Sequence, residues 1–314
     1  MWIYLVKRTT LAVVIVIVAI SLLYSMILMV PGDPTAIILG PRSTPEMREA
    51  LRVDMGLDRP AIIQVASFIL NVFQGDMGID VFTQRPVSQI VFEQLPYTII
   101  LIIASISWAM VLGIPMGCYS AIHRKSFLDK LIGVFSVGTI AIPAFVIALY
   151  GLLLFAVHLK WLPAIGAGED GDLWDQFRHL ILPAFAVGLG WVGYLARLVR
   201  ASMLEVLGEN HIRTARAFGL PEKIIIFRYA LKLAILPTIA LIGVGIGYLL
   251  SASVFAEIVF ARPGIGKLIY QSVLTRNYPI IMGSALITTI IFVLCTMAAD
   301  IINALLDPRM RETL

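Results

Sequence analysis

Two arginines, Arg213 and Arg216, have the spacing that most clearly indicates contact with another molecule. Three residues apart on a helix, they share one face, where their guanidinium groups can bind acidic groups of a partner protein. Phe218 follows them as a candidate aromatic anchor. The small residues of this segment would let another backbone come close, and they are Ala215, Ala217 and Gly219. The chemistry indicated here is protein–protein recognition.

The rest of the sequence lacks the spacing of a catalytic centre. The stretch Ala261–Leu268 resembles a phosphate-binding loop, but it has no glycine at Ala261 and no hydroxyl residue at Leu268. Cys118 and Cys295 lie in apolar runs, without the spacing of a disulfide framework or a metal site. The four histidines are scattered, at His123, His158, His179 and His211. We therefore predict no catalytic, metal-binding or cofactor-binding residue in this chain.

The composition is that of a polytopic membrane protein. Hydrophobic residues make up 59% of the 314 positions and charged residues only 14%, whereas a soluble domain carries about 25% charged residues. The net charge of +4 does not indicate nucleic-acid binding, because the basic residues are spread over loops rather than gathered on one face. We predict an all-α fold whose apolar helices cross the bilayer.

Six apolar runs approach or exceed the length of about 17–25 residues that a membrane-spanning helix needs. They are Thr9–Val30, Tyr97–Tyr119, Leu131–Val157, Leu180–Ala196, Leu233–Val254 and Ile280–Leu306. The first exceeds the apolar part of a secretory signal, about 7–15 residues, and is therefore interpreted as an uncleaved helix. The fourth is expected to continue into Arg197 and Arg200, whose side chains can reach the headgroups.

Basic and acidic loops alternate along the chain, and this predicts its orientation. Lys7 and Arg8 flank the first run, and basic residues also dominate the segment 197–232. Glu169 and Asp170 belong to an acid-rich loop on the opposite side. The positive-inside rule then places both termini in the cytoplasm.

We divide the chain into residues 1–96, the first helix with a long external loop, and residues 97–314, a five-helix core with the cytoplasmic loop. Inside the external loop, Ala61–Phe73 is apolar but too short to span. One stripe of this helix carries its polar residues, which are Gln64, Ser67, Asn71 and Gln74. The pattern fits an amphipathic helix on the outer membrane surface, and equally a helix packed against the bundle.

Glycines recur along several runs and predict close helix packing, because helices in lipid associate through small residues. They include Gly113 and Gly117, Gly188 and Gly193, and Gly243 and Gly245. These contacts can lie inside the chain or against a second membrane subunit, and the sequence leaves both open. Pro143 is expected to kink the third helix.

The segment 197–232 is predicted to form helices on both sides of a short cytoplasmic one. Glu209 stands where it can place an acceptor near the free amides of the short helix, His211–Phe218. Gly219 suits a left-handed stop, and Pro221 suits the first turn of the next helix. A solvated basic turn is the alternative interpretation of this segment.

Few polar residues fall inside the apolar runs. Asp300 is the main ionisable one, and we expect it to pair with a base or cap a helix rather than carry a coupling ion. Ser251, Ser253 and Glu257 are candidate pathway or gate residues. An ion-coupled secondary carrier is the alternative function from another class, and it would need more intramembrane charges or an inverted repeat. A membrane-bound enzyme would need a nucleophile–base set.

Short motifs follow one another along nearly the whole chain. They include Val30-Pro31-Gly32-Asp33-Pro34, Met55-Gly56-Leu57-Asp58-Arg59-Pro60, Trp161-Leu162-Pro163, Arg213-Thr214-Ala215-Arg216-Ala217-Phe218-Gly219, Arg262-Pro263-Gly264-Ile265-Gly266 and Leu306-Asp307-Pro308-Arg309. Together they resemble the peptide/nickel uptake family of bacterial ABC importer permeases, and specifically the first of its two paired permeases.

The resemblance implies a type I ABC importer permease fold and a multi-pass position in the bacterial cytoplasmic (inner) membrane. It implies transport of dipeptides or oligopeptides by alternating access, with nickel or metal chelates and glutathione as alternative solutes. The implied partners are a second homologous permease, two cytoplasmic ATPase subunits, an external solute-binding protein and membrane lipid. ATP and Mg would bind in the ATPase subunits, and this chain would catalyse no covalent step.

Residue roles follow from the same resemblance. The implied coupling residues are Glu209, Arg213, Thr214, Ala215, Arg216, Ala217, Phe218 and Gly219. The segments Pro31–Pro96 and Glu257–Pro279 would receive the binding protein. Coupling loops commonly begin with Glu-Ala-Ala, and here those places hold Arg213, Thr214 and Ala215. Phe218 stands where the peptide branch usually has lysine, so we expect an apolar contact there.

Overall fold

The computed structural model describes residues 2–29, 35, 39–40, 43–54 and 58–306. The motif residues 30–34, 55–57 and 307–309 lie outside the described residues. In chain order the longer helices are α1 (Trp2–Met29), α2 (Pro45–Asp54), α3 (Ala61–Phe73), α4 (Val87–Ile122), α5 (Phe127–Ala141), α6 (Ala144–Gly151), α7 (Leu173–Leu207), α8 (Asn210–Ala217), α9 (Leu236–Val259), α10 (Ile265–Leu274) and α11 (Tyr278–Leu306). A π-helix, Leu152–His158, continues α6.

The helices group into two units. One contains Met1–Thr98 and Pro263–Leu294, and the other contains Ile99–Arg262 and Cys295–Leu314. In the first unit, α10 and the start of α11 therefore belong with the N-terminal helices. Its buried contacts join Val87 and Val91 of α4 to Ile265 of α10 and to the start of α11.

The helix α3 packs against α1, where Phe68 and Val72 lie against the cluster around the buried Ile20. Gln64 is buried between the same helices, accepts a hydrogen bond from the Tyr24 hydroxyl and donates one of 2.6 Å to the Arg59 carbonyl. Both ends of its amide are thus bonded inside the protein. Of the two interpretations of this polar stripe, the position of Gln64 fits a helix packed against its neighbours.

The opposite arc of α3 is apolar and open. Ile62, Leu70 and Phe73 are exposed by 83%, 62% and 77%, and their spacing places them within one side of the helix. An apolar arc of this kind is suited to lipid. The two interpretations of the sequence thus apply to different faces, because one face packs on α1 and another remains available to the membrane.

The second unit is organised around α7, which packs against α5, α6 and α9. Glycines make the closest approaches. A Cβ atom on Gly117 of α4 would lie 2.5 Å from the Ala196 carbonyl oxygen, and one on Gly193 would lie 2.2 Å from the Thr139 hydroxyl. These contacts are inside the chain, which is one of the two possibilities that the sequence left open for its glycines.

Five helices within the described residues are long and apolar enough to cross a membrane, and α5 with α6 forms a sixth span if the bent pair counts as one. The bend between them is 96°, so the expected kink at Pro143 is a full break. Ile142 is extended, with ψ of 121°, and Pro143 has no N–H to continue the helical hydrogen bonds. The fourth span, α7, extends well beyond Leu180–Ala196 at both ends.

Gly117→Ala should destabilise the second unit. The new Cβ would meet backbone at 2.5 Å, and such overpacking typically costs about 1–3 kcal/mol. We expect a lower melting temperature of the detergent-solubilised protein. Gly133→Ala is the matched control, because no atom lies within 4 Å of its Cβ position. Equal melting temperatures for the two variants would contradict the close contact.

Candidate functional site

The predicted coupling segment has the local structure that its residues indicate. The helix α7 ends at Leu207, and α8 runs from Asn210 to Ala217. Gly219 has a φ of 75°, the left-handed conformation that glycine adopts at low cost. Its amide donates to the Arg216 carbonyl at 2.9 Å, closing the end of α8. Pro221 immediately precedes the next helical stretch, Glu222–Ile224.

One face of α8 is buried in the second unit. Ile212 is fully buried and Ala215 is 7% exposed. They belong to a cluster, here called the cytoplasmic cluster, whose other buried members are Cys118, Ala121, Val199, Met203, Val206, Ile225, Ala230 and Ala234. These residues come from α4, from α7 and from the segment after α8. The short helix packs on the segment Ile225–Ala230, and its buried side chains share one apolar cluster with residues of two long helices.

Burial removes Ala215 from the surface that a partner could touch. The suggestion that its small size lets another backbone approach does not fit this position, because the space beside it is filled by the cytoplasmic cluster. Ala217 and Gly219 are exposed, and no atom lies within 4 Å of a Cβ position on Gly219. Close approach of another protein is thus possible only on their side of α8.

The exposed face combines an aromatic ring with basic and polar groups. Phe218 is 81% exposed. Arg213 and Thr214 are also exposed, and the Thr214 hydroxyl donates to the Asn210 carbonyl at 3.0 Å. Glu209 occupies the position before α8 without a side-chain cap, and its carboxylate lies 2.9 Å from His211 Nδ1. A large apolar side chain left in water at a helix end is suited to burial by a partner.

Arg216 has an acidic partner within the chain. Its Nε donates to Glu222 Oε1 at 2.7 Å, and its terminal nitrogen donates to Oε2 at 3.4 Å. This hydrogen-bonded pairing raises the pKa of the Arg216 guanidinium. Of the two arginines predicted to bind acidic partner groups, Arg213 makes no ion pair with the part of the chain that the structure describes, whereas Arg216 is already engaged.

A buried polar group beneath this segment was missed by sequence reasoning. Arg200 of α7 binds both carboxylate oxygens of Asp129, through Nε at 2.7 Å and a terminal nitrogen at 3.0 Å. The Ser120 hydroxyl and the Lys125 amide also donate to Asp129. The Arg200 side chain was expected to reach the headgroups, and the structure pairs its charge with Asp129 of α5. An arginine on the predicted continuation of the fourth apolar run was the available signal, because a charge at the membrane favours a partner.

The three candidate pathway residues do not form one polar site. Ser253 and Glu257, four residues apart on α9, are both fully buried, and the Ser253 hydroxyl donates to the Leu250 carbonyl at 2.8 Å. Ser251 is exposed, and its hydroxyl donates to the Gly247 carbonyl at 3.3 Å. A role for these residues in the pathway stays a prediction.

The two segments predicted to be external contribute residues that meet within the first unit. Asn277 donates to the buried Asp80, which also accepts hydrogen bonds from Thr83. Near the start of α10, the Gly264 amide donates to Gln94 Oε1 at 3.1 Å. Burial acts to raise the pKa of Asp80, but the hydrogen bonds outweigh it and hold this pKa below the ordinary 3.8. The hydrogen bonds to ionised Asp80 thus stabilise the folded state at pH values above 3.8. This stabilisation is lost as the pH falls through the lower pKa that Asp80 has in the folded state.

The described residues do not assemble a set of ligands for a metal ion. Among the described residues, no group of three or more histidine, cysteine, aspartate or glutamate side chains is placed to hold a metal ion. The Ala261–Leu268 stretch, which resembles a phosphate loop, contributes Gly264 and Ile265 to the contacts with α4. The outer face of α8 therefore remains the candidate functional surface.

Comparison with known proteins gives consistent matches. Residues 113–312 match the family described as "Binding-protein-dependent transport system inner membrane component", and residues 1–102 match its N-terminal counterpart, "Binding-prot-dependent transport system membrane comp, N-term". The glutathione transport system permease protein GsiC of Escherichia coli strain K12 is 33% identical over 308 residues, covering 98% of each chain. GsiC of Pectobacterium atrosepticum is 32% identical with the same coverage.

The fold also matches solved structures. An inward-facing form of the MetNI methionine ABC transporter aligns with a TM-score of 0.55 and 18% identity, covering 70% of this chain and 97% of that one. A second crystal form gives a TM-score of 0.54 and 17% identity. At these identities the match concerns the fold alone, and it confirms the type I importer permease architecture.

Asp129→Asn should weaken the connection between α5 and α7. It removes one of two opposite charges, and a hydrogen bond to a charged group contributes about 1.5–3 kcal/mol. We expect a lower melting temperature in detergent. Glu205→Gln, an exposed acidic residue near the end of α7, is the control and should leave stability unchanged. A neutral effect of Asp129→Asn would show that the pair is dispensable.

Proposed function

The chain belongs to the family of inner membrane components of binding-protein-dependent transport systems, and we propose that it imports peptides by alternating access, driven by ATPases that contact α8. It is a non-catalytic, multi-pass subunit of an ABC importer in the bacterial inner membrane. Members of this family act with ATPase subunits and a solute-binding protein. The proposal adds a second homologous permease, two ATPase subunits that hold ATP and Mg, and dipeptides or oligopeptides as solutes.

The observation that carries the coupling role is the division of α8 into a buried and an exposed face. Phe218, Ala217 and Arg213 are exposed, whereas Ile212 and Ala215 are held in the cytoplasmic cluster. Closure of the ATPases would press on the exposed face. Because residues of α4 and α7 belong to the same cluster, the displacement would reach two spanning helices together.

The ion pair beneath α8 extends this connection. Asp129 binds Arg200 of α7 and Ser120 of α4, so α5 would follow the same displacement. ATP binding can drive the change only if the ATPases contact the two arrangements of these helices with different free energies. In the proposed cycle, ATP binding opens the cavity outward and hydrolysis returns it inward.

The external face is the proposed docking surface for the binding protein. The described residues of Pro31–Pro96 and Glu257–Pro279 include Asp80, Gln94, Gly264 and Asn277, which bond to one another in the first unit. A surface held together by such bonds is preorganised for a rigid partner.

The solute is the least constrained part of the proposal. The relatives named above carry the name of a glutathione transport system, so glutathione is an alternative solute, as are nickel and metal chelates. Selection among them is expected to rest largely with the binding protein.

The proposed function is tested by reconstitution. The chain with its partner permease, ATPases and binding protein should take up a labelled dipeptide into proteoliposomes only when ATP is supplied. The same vesicles without ATPases are the control. Uptake by this chain alone, driven by a proton or sodium gradient, would reject the importer function in favour of a secondary carrier.

Phe218→Ala should weaken the binding of the ATPase subunits to α8. Loss of a central aromatic anchor costs about 2 kcal/mol or more of binding free energy, roughly a thirtyfold weaker association. We expect fewer ATPase subunits to co-purify with the tagged chain, and peptide uptake to fall in proportion. Phe227→Ala is the matched control, because that ring is 62% exposed but lies outside α8. Unchanged ATPase retention by Phe218→Ala would exclude α8 as the contact.

A further inference from the structure

A cavity of about 380 Å³ lies in the second unit beside the break between α5 and α6. Its walls come from both sides of the break and from α7 and α9, and they include Thr139, Ile142, Trp191, Tyr194 and Tyr248. The volume is at the lower end of the range for small-molecule sites, about 300–1,000 Å³. It therefore suits a side chain or a small part of a solute rather than a long peptide.

The cavity lies midway along the spanning helix α9, and we infer from this that it is near the bilayer centre. At about 1.5 Å per residue, Tyr248 is roughly 18 Å from the start of α9 at Leu236 and roughly 16 Å from its end at Val259. Trp191 similarly lies roughly 13 Å along α7 from Arg200, at the cytoplasmic end. Non-helical backbone at this depth is tolerated where it is buried in protein or lines a cavity. The extended Ile142 meets that condition, because it lines this one.

The broken helix offers a backbone acceptor to the cavity. In a continuous helix the Thr139 carbonyl would accept from the amide of residue 143, but Pro143 has no N–H. The Thr139 carbonyl oxygen would lie 3.4 Å from a Cβ on Gly190, which also lines the cavity. The missing side chain at Gly190 therefore leaves that oxygen accessible to a donor such as a peptide N–H.

The remaining walls are aromatic and apolar. The Trp191 indole lies against Gly245, where a Cβ would be only 2.0 Å from the ring. Its ring centroid is 5.9 Å from that of Tyr194 and 6.3 Å from that of Tyr248. Tyr194 and Tyr248 are 45% and 64% exposed, so their rings are open to a ligand. Of the described residues that line the cavity, none is acidic or basic.

From these features we propose that the cavity is a transient binding site for one uncharged apolar or aromatic side chain of a transported peptide. Tyr194 and Tyr248 contact the side chain, Trp191 forms the floor, and the Thr139 carbonyl accepts from a peptide N–H. The inference rests on the proposed importer function and narrows its solutes to peptides with neutral side chains. A carboxylate here would lose its hydration without gaining a cationic partner among these residues, which is unfavourable.

The site is tested by photo-crosslinking on the purified transporter complex without binding protein, so that selection by that protein does not interfere. The probe is Gly-Bpa-Gly, where Bpa is p-benzoylphenylalanine. Mass spectrometry should find adducts on Tyr194, Val244 or Tyr248. Gly-Phe-Gly should compete with the probe, whereas glutathione and Gly-Asp-Gly should compete about tenfold less well. Adducts elsewhere, or equal competition by the acidic peptides, would overturn the proposal.

Variants test the aromatic wall of the cavity and the Thr139 carbonyl acceptor separately. Tyr248→Ala should lower adduct yield about tenfold, and Tyr248→Phe should retain it, since the ring rather than the hydroxyl makes the contact. Gly190→Ala should lower the yield by covering the Thr139 carbonyl, and its Cβ fits at ordinary contact distance. Gly133→Ala is the control, with no atom within 4 Å of its Cβ position. Full labelling of both Tyr248→Ala and Gly190→Ala would refute the site.

The same preparation distinguishes failure of the site from failure of the proposed function. If ATP-driven peptide uptake is intact after the binding protein is added back but the probe labels none of the cavity residues, the site inference alone is wrong. That outcome is also expected if a side chain of the second permease fills the cavity. If no ATP-driven uptake occurs in any condition, the importer function itself is wrong.

Discussion

Burial of Ile212 and Ala215 is the interaction on which the proposed coupling role of this chain depends. A short helix of eight residues is not stable in isolation, so α8 depends on its apolar contacts, with the Arg216–Glu222 pair beside them. Ile212 and Ala215 belong to a cluster that also contains residues of α4, of α7 and of the segment that leads to α9. A load on the exposed face is therefore resisted by several helices at once, which is the mechanical requirement for moving them as a group.

Lipid changes the energetic terms that hold the rest of the second unit together. Apolar side chains gain little by leaving a hydrocarbon solvent, so close backbone contact and satisfied polar groups carry more of the stability. Gly117 against the Ala196 carbonyl is an example of the first. The four donors to Asp129, from Arg200, Ser120 and Lys125, are an example of the second. Between them they connect α4, α5 and α7 near the helix α8.

The sequence was most informative where a single residue has one dominant physical effect. Apolar length predicted the spans, and glycine at 219 predicted the left-handed end of α8, which its φ of 75° confirms. Which of Ala215 and Ala217 points into the protein was harder to predict, because both side chains are equally small. The spacing of Ile212 and Ala215, three residues apart on one face, was a usable signal for burial that residue size alone concealed.

Other features depend on how distant segments meet and could not be predicted from the residues. Proline at 143 permits anything from a mild kink to a break, and packing on α7 and α9 decides that α5 and α6 differ by 96°. Arg200 and Asp129 are 71 residues apart, so their pairing requires the facing of two helices to be known. The grouping of Pro263–Leu294 with the N-terminal helices is likewise a property of the folded chain.

The contact between Trp191 and Gly245 makes two positions on different helices share one volume. A methyl group at 245 would occupy space that the indole already fills, so the sizes of the two side chains cannot change independently. Evolution can enlarge one only by shrinking the other or by spreading α7 and α9 apart. The shape of the cavity floor is therefore set jointly by the residues at positions 191 and 245, which must change together.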